Sequence, residues 1–280
     1  MGPVAADGTA GPARATDGAT LTGRTILAVF AHPDDESLAC GGTLARVADA
    51  GAKVVLLCAT RGERGSVCDP SLVPDGDLGR VRTRELRDAA AVLGVAEVIV
   101  LDHPDGELRW ADVSLLHDEI LMTLERFRPD AVITFDEDGL YWHLDHIGVY
   151  ERTVTAVTAL RDAAPPLYLV TMPNGAMRKV VEAAHAKSGA PPDSSLWGIA
   201  PDVFGFEAEP PTFSIDVHDW VGRKLAALRC HRTQMGPHNP FVWIDEDEAR
   251  RSLGLELFRR APIETAGADI LEPLGERVAS

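Results

Sequence analysis

Short β-rich runs alternate with longer amphipathic runs from Arg24 onward, and this alternation constrains the fold more than any other feature of the chain. The β-rich runs are apolar and span residues 25–31, 53–60, 97–101, 131–135 and 167–172. The runs between them repeat apolar residues at helical spacing and span residues 36–50, 79–93, 113–127 and 145–161. Strands separated by helices of this length form successive right-handed βαβ units. The pattern predicts an α/β fold with a Rossmann-like, mostly parallel sheet and helices on both faces.

The regular pattern weakens after residue 172. Weaker signals predict helices over residues 174–187, 219–233 and 246–260 and a strand over residues 212–217. We therefore expect an irregular C-terminal cap that begins near residue 173 and forms the substrate pocket. Residues 1–23, rich in Gly, Ala and Thr, are expected to be a disordered lead-in. No linker pattern interrupts residues 24–280, which predicts a single α/β domain.

The charge balance excludes one class of partner. The chain has 27 Lys and Arg residues against 43 Asp and Glu residues, a formal net charge of −16 at pH 7. Such an acidic surface repels phosphate backbones, which argues against nucleic-acid binding. No apolar run approaches the length of about 20 residues that a membrane span needs, and the N-terminus lacks the pattern of a secretory signal. We expect a cytoplasmic protein.

Two clusters of His and acidic side chains follow the first and fourth predicted strands. The first reads Ala-His-Pro-Asp-Asp-Glu over residues 31–36, and the second places His143, Asp145 and His146 at the start of a predicted helix. In open parallel sheets, functional groups collect at the carboxyl ends of the strands, where the strand order reverses. The first and fourth strands are the neighbours expected at that point, so we expect the two clusters to meet there.

The residue types in these clusters suit a divalent metal ion. His32 and Asp35 are three residues apart, as are His143 and His146, and the third ligand is available from either pair. Two His and one carboxylate suit Zn²⁺, with Fe²⁺ or another divalent ion as the alternative. Each cluster alone has a plainer explanation. In the first, Asp34 or Asp35 is a suitable N-cap for the helix that follows, and the second is compatible with a solvated helix start. Their joint occurrence at one sheet edge favours the metal site.

The two clusters resemble the motifs of the PIG-L/LmbE-like family of zinc-dependent N-deacetylases. Supporting elements are Ala-Thr-Arg-Gly-Glu at residues 59–63, Arg-Thr-Arg-Glu-Leu at residues 82–86 and Pro-Asp-Gly at residues 104–106. The resemblance covers residues 24–160, and residues 224–234 resemble a helix near the family's C-terminus. The chain departs from the family pattern at Trp142 and Leu144, where Gly and Pro are more usual.

The resemblance implies a hydrolase that removes an acetyl group from the amide nitrogen of an N-acetylated aminosugar, a small-molecule substrate. It implies Zn²⁺ as the cofactor, with His32, Asp35 and His146 as the metal ligands. Asp34 matches the general base, which takes a proton from the attacking water and later delivers one to the leaving amine.

The resemblance also assigns roles to three residues of the second cluster. His143 matches the residue that stabilises the oxyanion, and Tyr141 matches a tyrosine that contacts the reacting carbonyl. Asp145 matches the carboxylate that polarises the neighbouring histidine. A carboxylate beside His143 raises the pKa of its imidazole, so we expect His143 to meet the oxyanion in its protonated form.

Several charged or polar residues near the strand ends are candidate substrate contacts. Three of them are candidate sugar-binding groups, because charged side chains at strand ends can bind vicinal hydroxyls: Glu63, Arg82 and Asp105. The resemblance favours Arg82 over its neighbours as a substrate contact. For Arg82, which lies among other charged residues of its helix, pairing on the helix surface is the alternative. A loop hydrogen bond or a surface position equally explains the three remaining candidates: His103, His231 and Gln234.

Three other functions are compatible with parts of the pattern. The same metal centre would serve an amidase that cleaves a larger thiol-conjugate amide of the mycothiol type. A metal-binding module without catalysis would have no need of Asp34. A nucleotide-binding oxidoreductase would share the fold but would carry G-x-G-x-x-G after the first strand, where this chain has His-Pro-Asp-Asp-Glu.

Overall fold

The structure is a computed structural model that describes residues 20–187, 189–191 and 195–278. Residues 1–19 of the predicted lead-in lie outside the described residues. Leu21, at the end of that predicted segment, is buried, and its N–H donates to the Ala50 carbonyl at 2.7 Å. Leu21 is therefore part of the packed fold.

The strands of the described residues form one twisted sheet. They are β1 (Thr25–Phe30), β2 (Lys53–Thr60), β3 (Glu97–His103), β4 (Ala131–Phe135), β5 (Leu167–Thr171), β6 (Phe213–Asp216), β7 (Leu255–Arg260) and β8 (Glu276–Arg277). Their order across the sheet is β3-β2-β1-β4-β5-β7-β6-β8. The first five pair in parallel, and the last three continue the sheet in antiparallel pairing. The prediction of a mostly parallel α/β sheet is confirmed.

The helices connect and cover these strands. They are α1 (Asp35–Asp49), α2 (Leu78–Leu93), α3 (Val113–Phe127), α4 (Gly139–Trp142), α5 (Leu144–Ala159), α6 (Ala176–His185), α7 (Val221–Cys230) and α8 (Glu246–Leu253). α1 and α2 pack with α7, whereas α3 packs with α5, which corresponds to helix layers on the two faces of the sheet. Among the described residues, no helix combines the length and apolar character that a bilayer crossing requires.

The boundaries of the helices follow local signals. The Asp77 side chain caps α2 by accepting a hydrogen bond from the backbone N–H of Arg80. Gly94 ends the same helix in a left-handed conformation, with a φ of 81°. The Asp112 side chain caps α3, the helix between β3 and β4, by accepting from the backbone N–H of Ser114.

The centre of the parallel part positions the two clusters. β1 lies between β2 and β4, with Ile26 opposite Ala131 in the parallel pairing with β4. Residues 26–30 are fully buried, as a strand covered on both faces must be. The chain adds β2 and β3 on one side of β1 and β4 and β5 on the other side, so the strand order reverses at β1. The prediction that the first and fourth strands are neighbours is confirmed.

The prediction of one helix over residues 246–260 is wrong in its second half. α8 ends before Gly254, and the chain then forms β7, which pairs antiparallel with both β5 and β6. A strand is favoured because it buries Glu256 and Phe258, and the Phe258 ring stacks on Phe213 with 5.5 Å between centroids. The expected irregular cap is therefore in part a continuation of the central sheet.

Candidate metal centre and active site

Two loops bring the His and Asp clusters to the same edge of the sheet. The first loop follows β1 and runs through His32 into α1, and the second runs from β4 through α4 into α5. Because β1 and β4 are parallel neighbours, both loops leave the sheet at its carboxyl edge. Phe135, at the end of β4, stacks on the His146 ring with 4.0 Å between centroids. The two clusters meet, as the sequence pattern predicts.

Three buried side chains place possible ligand atoms close together. Nδ1 of His32 lies 3.2 Å from Nε2 of His146 and 3.4 Å from Oδ2 of Asp35. Nε2 of His146 lies 3.1 Å from Oδ1 of Asp35. A tetrahedral Zn²⁺ with bonds of about 2.0–2.1 Å separates its ligand atoms by roughly 3.3 Å. The spacing of these three atoms therefore fits a tetrahedral ion, and the donor types suit zinc or iron.

The other ring nitrogens of both histidines have hydrogen-bond partners. Nε2 of His32 lies 3.1 Å from a carboxylate oxygen of Asp105 and 3.1 Å from one of Asp145. Nδ1 of His146 lies 3.0 Å from the Gly139 carbonyl oxygen. Acceptors of this kind fix the ring of a metal-binding histidine and leave its facing nitrogen free of a proton. The surroundings of both rings thus fit a metal site as well as the spacing does.

Asp35 is held ionised within this cluster. Burial opposes its ionisation, but the charges and hydrogen bonds of His146 and His32 outweigh burial and hold the pKa of Asp35 well below its usual range. Its Oδ2 also accepts a hydrogen bond of 2.7 Å from the backbone N–H of His32. The loop therefore presents a fixed, negatively charged carboxylate.

Asp34 stands beside this cluster and is outside the ligand set. Its φ of 126° is a conformation that L-residues rarely adopt. Its Oδ2 accepts a 3.0 Å hydrogen bond from Arg82, and its backbone N–H donates to Glu36 at 3.1 Å. Burial raises the pKa of Asp34 to about 6, against the opposing charge of Arg82. A carboxyl group with such a pKa suits proton transfer.

Arg82 lies beneath the first loop. It is 4% exposed, and its guanidinium donates to the carbonyls of Gly62 at 2.9 Å and Pro33 at 2.5 Å as well as to Asp34. Arg82 therefore does not pair on the helix surface, which was the alternative. It also lines the cavity described below.

Glu63 and Asp105, the other predicted sugar contacts, hold two loops together. Oε1 of Glu63 accepts a 2.9 Å hydrogen bond from the backbone N–H of Asp105, and Asp105 accepts one of 2.9 Å from the N–H of Arg64. Burial opposes ionisation of Asp105, but its hydrogen bond with His32 prevails and lowers the pKa of the carboxyl to about 2. Asp105 lines the cavity, whereas Glu63 supports the loop behind it.

The ring of His143 lies 4.9 Å from that of His32 between centroids, and its protonation differs from the expected imidazolium. The carboxylate of Asp145 contacts His32 and two backbone N–H groups, so only the backbone N–H of Asp145 reaches Nδ1 of His143, at 3.2 Å. Burial, reinforced by His146 and His32, lowers the pKa of His143 to about 4. His143 is therefore neutral, and because Nδ1 accepts, its Nε2 carries the proton.

Tyr141 lies on the same wall as His143. Its ring centroid is 5.7 Å from that of His143, 5.1 Å from that of His146 and 4.7 Å from that of Phe204. Burial raises the pKa of Tyr141 well above its usual range, which keeps the hydroxyl protonated as a hydrogen-bond donor. Tyr141 and His143 thus provide two neutral donors at one side of the cluster.

These groups open into a cavity of about 320 Å³. Loops of the parallel sheet supply one side, and Trp197, Ile199 and Gln234 of the C-terminal part supply another. This volume is within the range of about 300–1,000 Å³ that small-molecule sites occupy. A groove of about 500 Å³ lies elsewhere, at α2, α7 and α8, and neither histidine cluster lines it.

Glu36 is a part of the site that the sequence analysis did not single out. It is fully buried, and its two oxygens contact Nε2 of His231 at 2.9 Å and the backbone N–H of Asp34 at 3.1 Å. His231, a residue whose role the sequence left open, is also fully buried and so ties the end of α7 to the loop of Asp34. The available signal was the third consecutive acidic residue in the run 31–36.

The other open candidates have different positions. Gln234 lines the cavity, and its amide donates to the Ser66 carbonyl at 2.8 Å. His103 pairs with Glu119 of α3 at 2.5 Å and is outside the cavity lining. Trp197 lines the cavity from a stretch without periodicity, and no sequence signal identified it.

The fold and the site together define a Rossmann-like α/β protein with a candidate metal centre at the carboxyl edge of its parallel sheet. A family model described as GlcNAc-PI de-N-acetylase matches residues 27–157. The chain belongs to this PIG-L family of deacetylases, as its motifs predict.

Known relatives extend the match over most of the chain. A 1D-myo-inositol 2-acetamido-2-deoxy-alpha-D-glucopyranoside deacetylase from Acidothermus cellulolyticus is 32% identical over 257 residues, covering 84% of this chain and 88% of the relative. The protein of the same name from Geodermatophilus obscurus is 33% identical over 279 residues, covering 88% and 95%. The N,N'-diacetylchitobiose deacetylase structure from Pyrococcus horikoshii matches with a TM-score of 0.61 and 22% identity over 85% of this chain and 84% of that one, which shows a shared fold.

Proposed function

We propose that this protein is a metal-dependent N-deacetylase that removes the acetyl group from an N-acetylated glucosaminide. The observation that carries the proposal is the position of Asp34 beside, but outside, the ligand set of His32, Asp35 and His146. A metal-binding module needs ligands alone, whereas amide hydrolysis also needs a group that moves a proton. Both relatives are deacetylases of a 2-acetamido-2-deoxyglucopyranoside, which supports an N-acetylglucosaminyl group as the part of the substrate that reacts.

We assign Zn²⁺ to the ligand set, with Fe²⁺ as the alternative ion. The residues that would hold it are His32 through Nδ1, His146 through Nε2 and Asp35 through its carboxylate. Their spacing and the acceptors on the far ring nitrogens support this assignment. The chemistry that such an ion supplies when bound is polarisation of the amide carbonyl and a lower pKa of water.

Asp34 is the proposed general base. Ionised, it accepts a proton from the attacking water, and it then donates that proton to the nitrogen of the leaving amine. Arg82 and Glu36 hold it in place from two sides, one through the carboxylate and one through the backbone N–H. Its shielded position and raised pKa support this role.

His143 and Tyr141 are the proposed donors to the oxygen of the tetrahedral intermediate. Each presents an uncharged N–H or O–H in a largely buried setting, where a hydrogen bond to developing negative charge is strong. Neutral donors also avoid the cost of burying a second cation beside the metal ligands. Donation by a neutral imidazole replaces the imidazolium expected from the sequence.

An amine-release assay on metal-stripped protein, with Zn²⁺ added back, tests the proposal. We expect acetate and free amine in equal amounts from N-acetylglucosaminides, and only after metal is restored. The control is Asp34→Asn loaded with the same ion, which retains the metal but not the base. Metal-loaded wild type that releases no amine from any N-acetylated sugar contradicts the proposal. Release from a bulky thiol-conjugate amide alone would identify the amidase instead.

A further inference from the structure

An apolar shelf adjoins the proposed active site. Trp142, Leu144 and Ile199 line a second cavity of about 420 Å³, and we call these three residues the aglycone shelf. This cavity shares Tyr141, His143 and Ile199 with the catalytic cavity, so the two spaces adjoin each other. The shelf therefore lies next to the position proposed for the reacting amide.

The shelf is exposed, and its central ring is held in place. Trp142 is 47% exposed and Leu144 is 42% exposed, although both are large apolar side chains. The Trp142 indole N–H donates to the Phe206 carbonyl at 3.1 Å, and its backbone N–H donates to the Asp138 carbonyl at 2.7 Å. The backbone φ of Trp142 is 62°, a left-handed conformation that is strained for a residue other than glycine. The backbone of Trp142 is strained, yet its indole is fixed and exposed. This combination points to a role of Trp142 in binding a ligand.

The polar groups beside the shelf are already committed to other partners. The Asp145 carboxylate is occupied by His32 and by two backbone N–H groups. Nδ1 of His143 accepts from the backbone N–H of Asp145, and its remaining N–H faces the proposed oxyanion. The shelf therefore offers apolar area to a ligand rather than hydrogen-bond partners for a ring of hydroxyls.

We propose that this shelf binds the aglycone of the substrate and that the aglycone presents an apolar, preferably aromatic, face to Trp142. This proposal rests on the proposed function, because it assumes that the acetamido sugar occupies the catalytic cavity. Stacking of an aromatic ring on a fixed indole is favourable beyond the burial of apolar area, and we expect the two effects together to give a selectivity of roughly tenfold. Selectivity among glycosides is therefore set by Trp142 and Leu144, the two positions where the sequence departs from the family pattern.

The test compares three glycosides of N-acetylglucosamine with the same anomeric configuration: methyl, phenyl and myo-inositol. We expect zinc-loaded wild type to deacetylate the phenyl glycoside with a kcat/KM roughly tenfold above that of the methyl glycoside. In Trp142→Gly this ratio should fall to near one, and glycine tolerates the left-handed conformation without strain. Leu144→Ser should lower the ratio about threefold and serves if the glycine variant folds poorly. Trp110→Ala is the matched control, since Trp110 is 69% exposed and lines neither cavity.

The outcomes separate the two proposals. If the wild type releases no amine from any of the three glycosides, the proposed function fails. If it acts on the methyl glycoside but shows a phenyl-to-methyl ratio near one, only the shelf is refuted. The shelf proposal is also refuted if the phenyl-to-methyl ratio of kcat/KM stays near ten in both shelf variants. A tenfold preference for the inositol glycoside over the phenyl glycoside refutes it as well.

Discussion

The guanidinium of Arg82 on α2 donates a 3.0 Å hydrogen bond to the carboxylate of Asp34 on the loop after β1. The two side chains are 5% and 16% exposed, so solvent screens this pair little. The same guanidinium also donates to the carbonyls of Pro33 and Gly62, which fixes its plane relative to both loops. Arg82 therefore positions the proposed base and favours its ionised form.

Arg82→Lys should lower kcat while leaving the metal content unchanged. The lysine ammonium cannot reproduce the planar guanidinium, which donates to Gly62, Pro33 and Asp34 at once. Loss of a charge-assisted hydrogen bond of about 1.5–3 kcal/mol corresponds to a roughly 10- to 100-fold fall in kcat. Amine release measures kcat and KM, and elemental analysis measures zinc. Arg84→Lys, an exposed position on the same helix, is the control, and equal losses in both variants would contradict the positioning role.

Asp34→Asn should retain the metal and lose turnover. The amide fills the same space but cannot accept a proton from water, so we expect kcat to fall by a factor on the order of 10²–10⁴. Zinc content should match the wild type, because Asp34 is outside the ligand set. Turnover near the wild-type value, in protein shown to hold zinc, would refute the assignment of the base.

Asp34 should also make stability depend on pH. Burial raises the pKa of this carboxyl to about 6 in the folded protein, against about 3.9 in an unfolded chain. A raised acid pKa contributes stability at low pH that is lost as pH rises through the window between these two values. Asn does not ionise, so the Tm of metal-free Asp34→Asn should rise relative to the wild type across that window. Thermal melts at several pH values test this. A Tm of Asp34→Asn minus that of the wild type that stays constant or falls as pH rises contradicts the prediction.

His146→Ala should abolish stoichiometric metal binding. The change removes one of three closely spaced ligand atoms, and two protein ligands hold zinc weakly. Elemental analysis after dialysis should show little zinc, and circular dichroism should show a retained fold. His117→Ala, a change at a partly exposed histidine of α3, is the control and should keep the metal. Full zinc content in His146→Ala would refute the ligand role.

The parallel half of the sheet is predictable from the sequence because β1, β2, β4 and β5 are almost fully buried and appear as continuous apolar runs, and the half-buried β3 also contains one. The predicted bounds of α3 and β4 coincide with those observed. β7 was missed because Leu-Glu-Leu-Phe-Arg-Arg follows a helical run and half of its residues are charged. Its strand character comes from pairing with β5 and β6, which are distant in sequence.

The candidate site was also predictable only in part, namely where strand order alone brings residues together. The topology of βαβ units brings His32 and His146 to one edge, so their proximity follows from strand order alone. The contact of Asp145 with His32 in place of His143 could not be predicted from strand order, since it depends on how the loops after β1 and β4 turn relative to each other. The contact between Arg82 and Asp34 likewise joins two segments distant in sequence, and local sequence does not encode the positive φ of Asp34.

The missed strand also supports the helix that follows the first cluster. α1 is interrupted at Cys40, where φ is −146°, so the helix does not satisfy its backbone N–H groups in regular order. The N–H groups of Gly42 and Thr43 donate instead to the two oxygens of Glu256 on β7, at 2.9 Å and 2.7 Å. Lys224 on α7 donates to the same carboxylate at 2.5 Å, and both charged side chains are buried.

Glu256→Ala should therefore destabilise the fold strongly. It leaves the Lys224 charge and two backbone donors buried without partners, which costs about 3–5 kcal/mol in the free energy of unfolding. Lys224→Met should restore part of this loss when combined with Glu256→Ala, because the uncompensated charge is then gone. Urea unfolding measures all three variants. Glu97→Ala, which breaks exposed pairs with Lys53 and Arg126, should cost less than about 1 kcal/mol. A loss no larger in Glu256→Ala than in Glu97→Ala would show that β7 does not support α1 through this carboxylate.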